Sequence, residues 1–210
     1  MVAVLALDEV LRDARVWRGH APPAAAAGGS TQPTGHAPLD AVLPGGGWPA
    51  AALSELLLAS DGIGELSLLW PTLARLTGND ETVALIAPPY LPYPFAWQAA
   101  GIVLAHLPVI AVREPREALW ATEQTLRAGC CAAVVCWLGN ANDRALRRLA
   151  VAAEAGRTLG FVLRPHTAAA NPSPAALRIA LDARPARLRV LKCRGGLPPT
   201  ASLPLPIARH

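Results

Sequence analysis

Ala59-Ser60-Asp61-Gly62-Ile63-Gly64-Glu65-Leu66 joins an apolar run, Leu53 to Leu58, to a helical pattern of Leu66, Leu69, Leu73 and Leu76. A strand, a glycine-bearing turn and a helix is the order in which a phosphate-binding loop occurs. That loop reads G-x-x-x-x-G-K-[ST], and its backbone N–H groups and lysine cradle phosphates. Gly64 keeps the second glycine. Ala59 stands at the first, Glu65 at the lysine and Leu66 at the Ser/Thr. The scaffold of the turn survives while its chemistry is gone. No shifted alignment recovers the lysine, because Lys192 is the only lysine among nineteen basic residues.

Outward from this loop, strand and helix patterns alternate. Continuous apolar runs predict strands over 53–58, 82–87, 107–112, 130–138 and 158–163. Helical periodicity predicts helices over 64–76, 95–100, 115–128 and 142–155, the last capped by Asn142 and closed by Gly156. Five apolar strands alternating with helices give an α/β fold, a mostly parallel sheet flanked by helices on both faces. Past Arg164 the alternation stops. Residues 176–181 and 188–192 read as a β-hairpin, and the Leu203-Pro-Leu-Pro-Ile run as extended chain or a sheet edge. Before the body, residues 1–18 carry Leu5, Val10, Leu11 and Ala14 at helical spacing, ending near Trp17, as in an amphipathic helix. Residues 19–37 are rich in Ala, Gly and Pro and read as a tether, which leaves 38–210 as the domain. Such a helix either folds back over an apolar patch or docks on a partner.

With 52% apolar and 16% charged residues the chain can fill a single large core. It has no apolar run long enough to suggest a membrane span, and its acidic and basic N-terminus lacks a signal peptide's pattern, so a cytoplasmic location is expected. The four cysteines form no C-x-x-C pair and no histidine stands at metal-ligand spacing, so no metal or other cofactor is expected. A charge of +4 permits contact with nucleic acid without arguing for it.

Several separated motifs agree in order. They are Pro33-Thr34-Gly35 with Leu39-Asp40, Leu43-Pro-Gly-Gly-Gly-Trp48-Pro49, Leu53-x-Glu55-Leu56-Leu57, Gly62-Ile63-Gly64-Glu65-Leu66, Leu85-x-x-Pro88-Pro89 and Lys192-x-Arg194-Gly195-Gly196. From Pro33 to Gly196 this pattern resembles the ImuA family, RecA-like accessory proteins of bacterial damage-induced mutagenesis. The SulA division inhibitors are siblings in the same superfamily. The resemblance implies a RecA-like core and a role in SOS-induced translesion DNA synthesis. It also implies three partners: RecA, the inactive Y-family-like polymerase homologue ImuB, and an error-prone C-family DNA polymerase. The alternatives are a SulA-like inhibitor of the tubulin-like division protein and a residual RecA-like ATPase.

The residues themselves argue against the ATPase. Glu65 puts an anion where phosphate charges would sit, and Leu66 offers no hydroxyl to Mg²⁺. Cys136 stands at the metal-positioning carboxylate of a later strand, and Pro88-Pro89 where a RecA-like ATPase keeps its catalytic carboxylate. Glu65 is well placed for a different task, in the first turn of a helix, where the dipole favours an anion. No catalytic residue is expected. Surface chemistry offers more. Lys192 and Arg194 project from one side of a strand, as ordinary basic residues or, by resemblance, as a finger into a neighbour's nucleotide site. Leu5, Leu11 and Trp17 would supply partner contacts from the N-terminal helix. Arg144, Arg147 and Arg148 share a helix face that is either a solvated surface or, with Arg187 and Arg189, a contact to DNA phosphates. The tryptophans at 48, 70, 97, 120 and 137 are expected in the core or at interfaces.

Overall fold

The computed structural model describes residues 30–139 and 141–206. The apolar runs become neighbours in one eight-stranded sheet. In chain order the strands are β1 (Thr31–Gln32), β2 (Trp48–Pro49), β3 (Leu53–Leu58), β4 (Val83–Ile86), β5 (Val109–Ile110), β6 (Ala133–Trp137), β7 (Leu159–Pro165), β8 (Leu177–Ala183), β9 (Ala186–Cys193) and β10 (Leu203–Pro204). The helices are α1 (Ala37–Asp40), α2 (Glu65–Gly78), α3 (Pro94–Ala99), α4 (Pro115–Ala128) and α5 (Asp143–Gly156). The large sheet has the order β10-β9-β8-β3-β7-β6-β4-β5, with β1 and β2 paired separately. From β8 across to β5 every pairing is parallel, and only β9 and β10 add antiparallel edges.

Strand alternation sorts side chains between two faces. On one, Leu56, Leu58, Phe161, Leu163, Ile179 and Leu181 pack under α2 and against Trp48, whose ring meets Phe161 edge-on at 5.1 Å. On the other, Ala84, Ile86, Val134 and Val162 pack under α4 and α5. The expected parallel sheet with helices on both faces is what forms. The local signals also hold. The Asn142 side chain accepts the Ala145 N–H at 2.9 Å, and α4 opens on Pro115 and ends at a left-handed Gly129.

The differences have physical causes. The strand expected over 107–112 reduces to Val109–Ile110, because it is a sheet edge paired only to β4 and Pro108 has no N–H to extend the ladder. Cys130 is exposed at the turn after Gly129, and the strand starts at Ala133. Trp120 is exposed on α4, while Trp48 and Trp97 are buried. The tether expected over 19–37 gives way to ordered chain by Thr31: β1 pairs with β2, and Thr34 is buried. There the Thr72 hydroxyl accepts the Trp48 indole N–H at 2.9 Å and lies 3.2 Å from the carbonyl oxygens of Pro33 and Thr34. The N-terminal helix expected over 1–18 lies outside the described residues.

Candidate functional site

In sheets of this kind ligands bind in the crevice beyond the carboxyl ends of the parallel strands. Here that crevice is an open cleft of 440 Å³ bounded by Ala59, Ser60, Asp61, Trp137 and Arg164. The loop below it turns through Gly62 and Gly64, with φ of 76° and 96°, values open to glycine at no steric cost. Gly64 caps α2, and Glu65 is its first residue. The Glu65 carboxylate folds back and accepts the Gly62 N–H at 3.2 Å, at 6% exposure. Ala59 gives its own N–H to the Leu181 carbonyl at 3.2 Å. Two of the backbone donors that a phosphate cradle would aim outward are thus engaged by the protein. Leu66 packs on the apolar core.

The positions expected to lack carboxylates offer no substitute chemistry. Cys136 is fully buried, with its thiol directed at the Phe161 carbonyl at 3.4 Å. Burial pushes its pKa up to about 12, against a smaller opposing effect of the Thr122 hydrogen bond, so it stays a neutral thiol. Pro88 and Pro89 line a second groove that runs between the ends of α4 and α5. Among the described residues no cluster of His, Cys, Asp and Glu is arranged to hold a metal, and no helix is long and apolar enough to cross a membrane.

The structure gathers a second constellation at the opposite edge of the sheet. Cys193 pairs with Leu177 at the start of β8, level with the start of β3, one six-residue strand (about 20 Å) from the loop. Gly196 sits against Pro44, and Arg194 lines a small groove with Leu43, Gly45 and Gly47, beside Thr31. Two motifs far apart in sequence, at 43–49 and 192–196, therefore meet at this edge. Lys192 and Arg194 are exposed on either side of buried Cys193. Burial first, then Arg178 and Arg194, lower the Lys192 pKa, and its ammonium donates to the Ser173 carbonyl at 2.7 Å. Lys192 and the degenerate loop are not brought together.

The three helix arginines are exposed on α5, and two are engaged. Arg147 pairs with Asp143 at 2.9 Å, and Arg148 pairs with the buried Glu123 of α4. Arg187 is held by Ser202, and Arg189 by Asp182 at 3.1 Å. Leu5, Leu11 and Trp17 lie outside the described residues.

Two features escaped the sequence reading. Glu55, read as part of an apolar strand and of a motif but given no task, is completely buried. It accepts from Arg164 on β7 at 2.5 Å and from Arg178 on β8 at 2.7 Å. A lone carboxylate inside an apolar run was the signal, since such a charge is retained only when paired. The other is Tyr90, Leu91, Tyr93 and Phe95, all exposed, with the rings of Tyr93 and Phe95 5.5 Å apart. Prolines at 88, 89 and 92 were the signal here, because they deny Tyr90, Leu91 and Tyr93 a ladder or a helix, while Pro94 opens α3 and leaves Phe95 in its exposed first turn.

Comparisons with known proteins point to one family. The family model described as "Cell division inhibitor SulA" matches residues 52–160. The cell division inhibitor SulA of Edwardsiella piscicida is 34% identical over 114 residues, which cover 52% of this chain and 68% of the relative. The crystal structure of SulA from Pseudomonas aeruginosa aligns at 30% identity and a TM-score of 0.47, over 56% of this chain and 99% of that one. The matched span runs from the start of β3 through α5 to the start of β7, taking in the degenerate loop and the aromatic segment, and by that match the chain belongs to the SulA family.

Proposed function

We propose that this chain acts by binding other proteins and has no nucleotide turnover of its own. The observation that carries the proposal is the Glu65 carboxylate seated on the Gly62 N–H, an internal anion where a phosphate would have to sit. Within that reading its role is a scaffold in SOS-induced mutagenesis. It would bind RecA and ImuB and so assemble the error-prone C-family polymerase for translesion synthesis. The support for that role is the ordered set of motifs, of which Leu43–Pro49 and Lys192–Gly196 fall outside the matched family span yet meet at one edge of the sheet. Lys192 and Arg194, exposed at that edge, are the proposed contacts to a RecA neighbour.

The test is retention by RecA filaments assembled on single-stranded DNA with a slowly hydrolysed ATP analogue. Retention of the wild-type chain is expected, with roughly tenfold weaker binding for Lys192→Ala/Arg194→Ala, about 1.4 kcal/mol, at unchanged thermal stability. Absence of retention overturns the RecA assignment. Micromolar ATP binding by calorimetry overturns the non-catalytic reading. A second reading, inhibition of the tubulin-like division protein, is favoured by the family match over residues 52–160. It predicts loss of sedimentable division-protein polymer when the chain is added.

A further inference from the structure

The chain between α4 and β6 brings two thiols together. Cys130 is exposed, Cys131 is 8% exposed, and their Sγ atoms lie 3.9 Å apart. Neighbouring residues of a strand point to opposite faces. The pairing exists because both cysteines precede β6, in the turn after left-handed Gly129. That turn is tied on both sides. The C-terminal ends of α4 and α5 meet at glycines: a Cβ on Gly129 would stand 2.8 Å from the Gly156 carbonyl oxygen, and one on Gly156 only 1.8 Å from that of Leu126. The buried Thr158 hydroxyl lies 3.1 Å from the Cys131 carbonyl oxygen and 3.2 Å from that of Gly156. Ala132, directly after the pair, donates its N–H to Thr82 at 2.9 Å and accepts from Leu159 at 3.0 Å. The dithiol is thus presented on fixed backbone at the amino ends of β4 and β6, the opposite end of the sheet from the degenerate loop. We propose that Cys130 and Cys131 form a two-sulfur site for trivalent arsenicals of the type R–As=O.

Donor number decides the ligand class. Structural zinc takes four protein ligands, and among the described residues no His, Asp or Glu joins the pair in a metal-holding cluster. The other thiols are out of reach. Cys136 is five residues further along the chain, roughly 16 Å away. Cys193 is on β9, four strands across the sheet from β6, about 19 Å away. An arsenic carrying one organic group is complete with two sulfurs. Protonation points the same way. Burial first, then the charge and hydrogen bond of Cys130, push the Cys131 pKa up to about 12, so the pair stays a protonated dithiol. A metal ion would have to drive both protons into solvent, whereas an arsenoxide carries the oxygen that takes them. In that condensation two S–H bonds and the As=O bond break, two As–S bonds form, and the protons leave with the oxygen as water. Arsenic stays trivalent and no oxidant enters. The two cysteines remain neighbours in the unfolded chain, so what the fold adds is preorganisation: the native turn already holds the sulfurs within bridging distance. The proposal is independent of which protein the chain serves.

The test is the full-length chain with phenylarsine oxide. Intact mass spectrometry should show one phenylarsenic group gained and two protons lost, in an adduct that survives excess mercaptoethanol and is stripped by ethanedithiol. Cys130→Ser and Cys131→Ala should each abolish it, and Cys136→Ala and Cys193→Ala should keep it. The thermal midpoint reads the contribution of the fold, because a ligand raises it only by binding the folded chain more tightly than the unfolded one. A tenfold preference, about 1.4 kcal/mol, raises the midpoint by roughly 3–6 °C for a domain of this size. An adduct retained in Cys130→Ser, an adduct lost to mercaptoethanol, or an unchanged or lowered midpoint each overturns the proposal. Cys130 is exposed, so its serine variant should melt like the wild type, which keeps the comparison between folded chains.

Discussion

Replacing Glu55 with glutamine should unfold this protein more readily than almost any other isosteric change. Glu55 has 0% side-chain exposure, Arg164 5% and Arg178 8%, and each guanidinium donates to a separate oxygen of the one carboxylate. Arg178 has further acceptors in the carbonyls of Ala168 and Asn171, and Arg164 in that of Ala141, so their geometry would persist after the substitution. Their charge would not be balanced. Breaking one buried pair costs about 3–5 kcal/mol, and here one change breaks two. A loss near 5 kcal/mol is expected, against a total domain stability of about 5–15 kcal/mol. At about 2–4 °C per kcal/mol for a domain of this size, the midpoint falls by roughly 10–20 °C. Urea denaturation followed by tryptophan fluorescence measures it, with equal slopes required for the comparison. A companion variant, Glu55→Leu with Arg164→Met and Arg178→Leu, should regain most of the loss, since apolar replacement of a whole buried ion group is often neutral or better. A loss under about 1 kcal/mol for Glu55→Gln, or a companion less stable than the single variant, refutes the reasoning.

Two further outcomes follow from other buried groups. Thr72→Val keeps volume but leaves the Trp48 indole N–H without its acceptor. A loss of about 1–3 kcal/mol is expected, together with faster amide exchange over β1 and β2. Cys136 has an ordinary thiol value of 9.0 and a folded value of about 12, so its contribution is full below pH 9 and is lost as pH rises towards 12. Over that window its share of the slope is about 1.4 kcal/mol per pH unit. Cys136→Ala should flatten the alkaline limb of a stability-pH curve, and an unchanged limb would show that the thiol does not ionise on unfolding there.

The parts of the structure readable from sequence were those written locally. A six-residue apolar run, a glycine turn and a leucine period at 66, 69, 73 and 76 fixed β3, its loop and α2. Asn142 and Pro115 marked helix starts where the structure has them. The degenerate loop was readable because its motif is contiguous. Glu55 was not, because its meaning lies in strands 109 and 123 residues away, and the order β8-β3-β7-β6-β4 is set by which faces pack together. The amino-edge cluster was hidden for the same reason: Pro44 and Gly196 touch only after β8 and β9 fold back along β3. Trp120 shows the opposite limit. Its residue type suggested the core, but its helical neighbours Arg116, Glu117, Gln124 and Arg127 are polar, and α4 turns that whole face to solvent.

The span that this chain shares with its family ends at residue 160, whereas both arginines that neutralise Glu55 come later, at 164 and 178. During synthesis, the carboxylate on the first parallel strand must wait, hydrated, until the last parallel strand has left the ribosome. A chain cut at the family boundary would carry a charge destined for the interior with nothing to meet it. The segment common to the family thus leaves its buried carboxylate to be neutralised by the part of this chain that follows it.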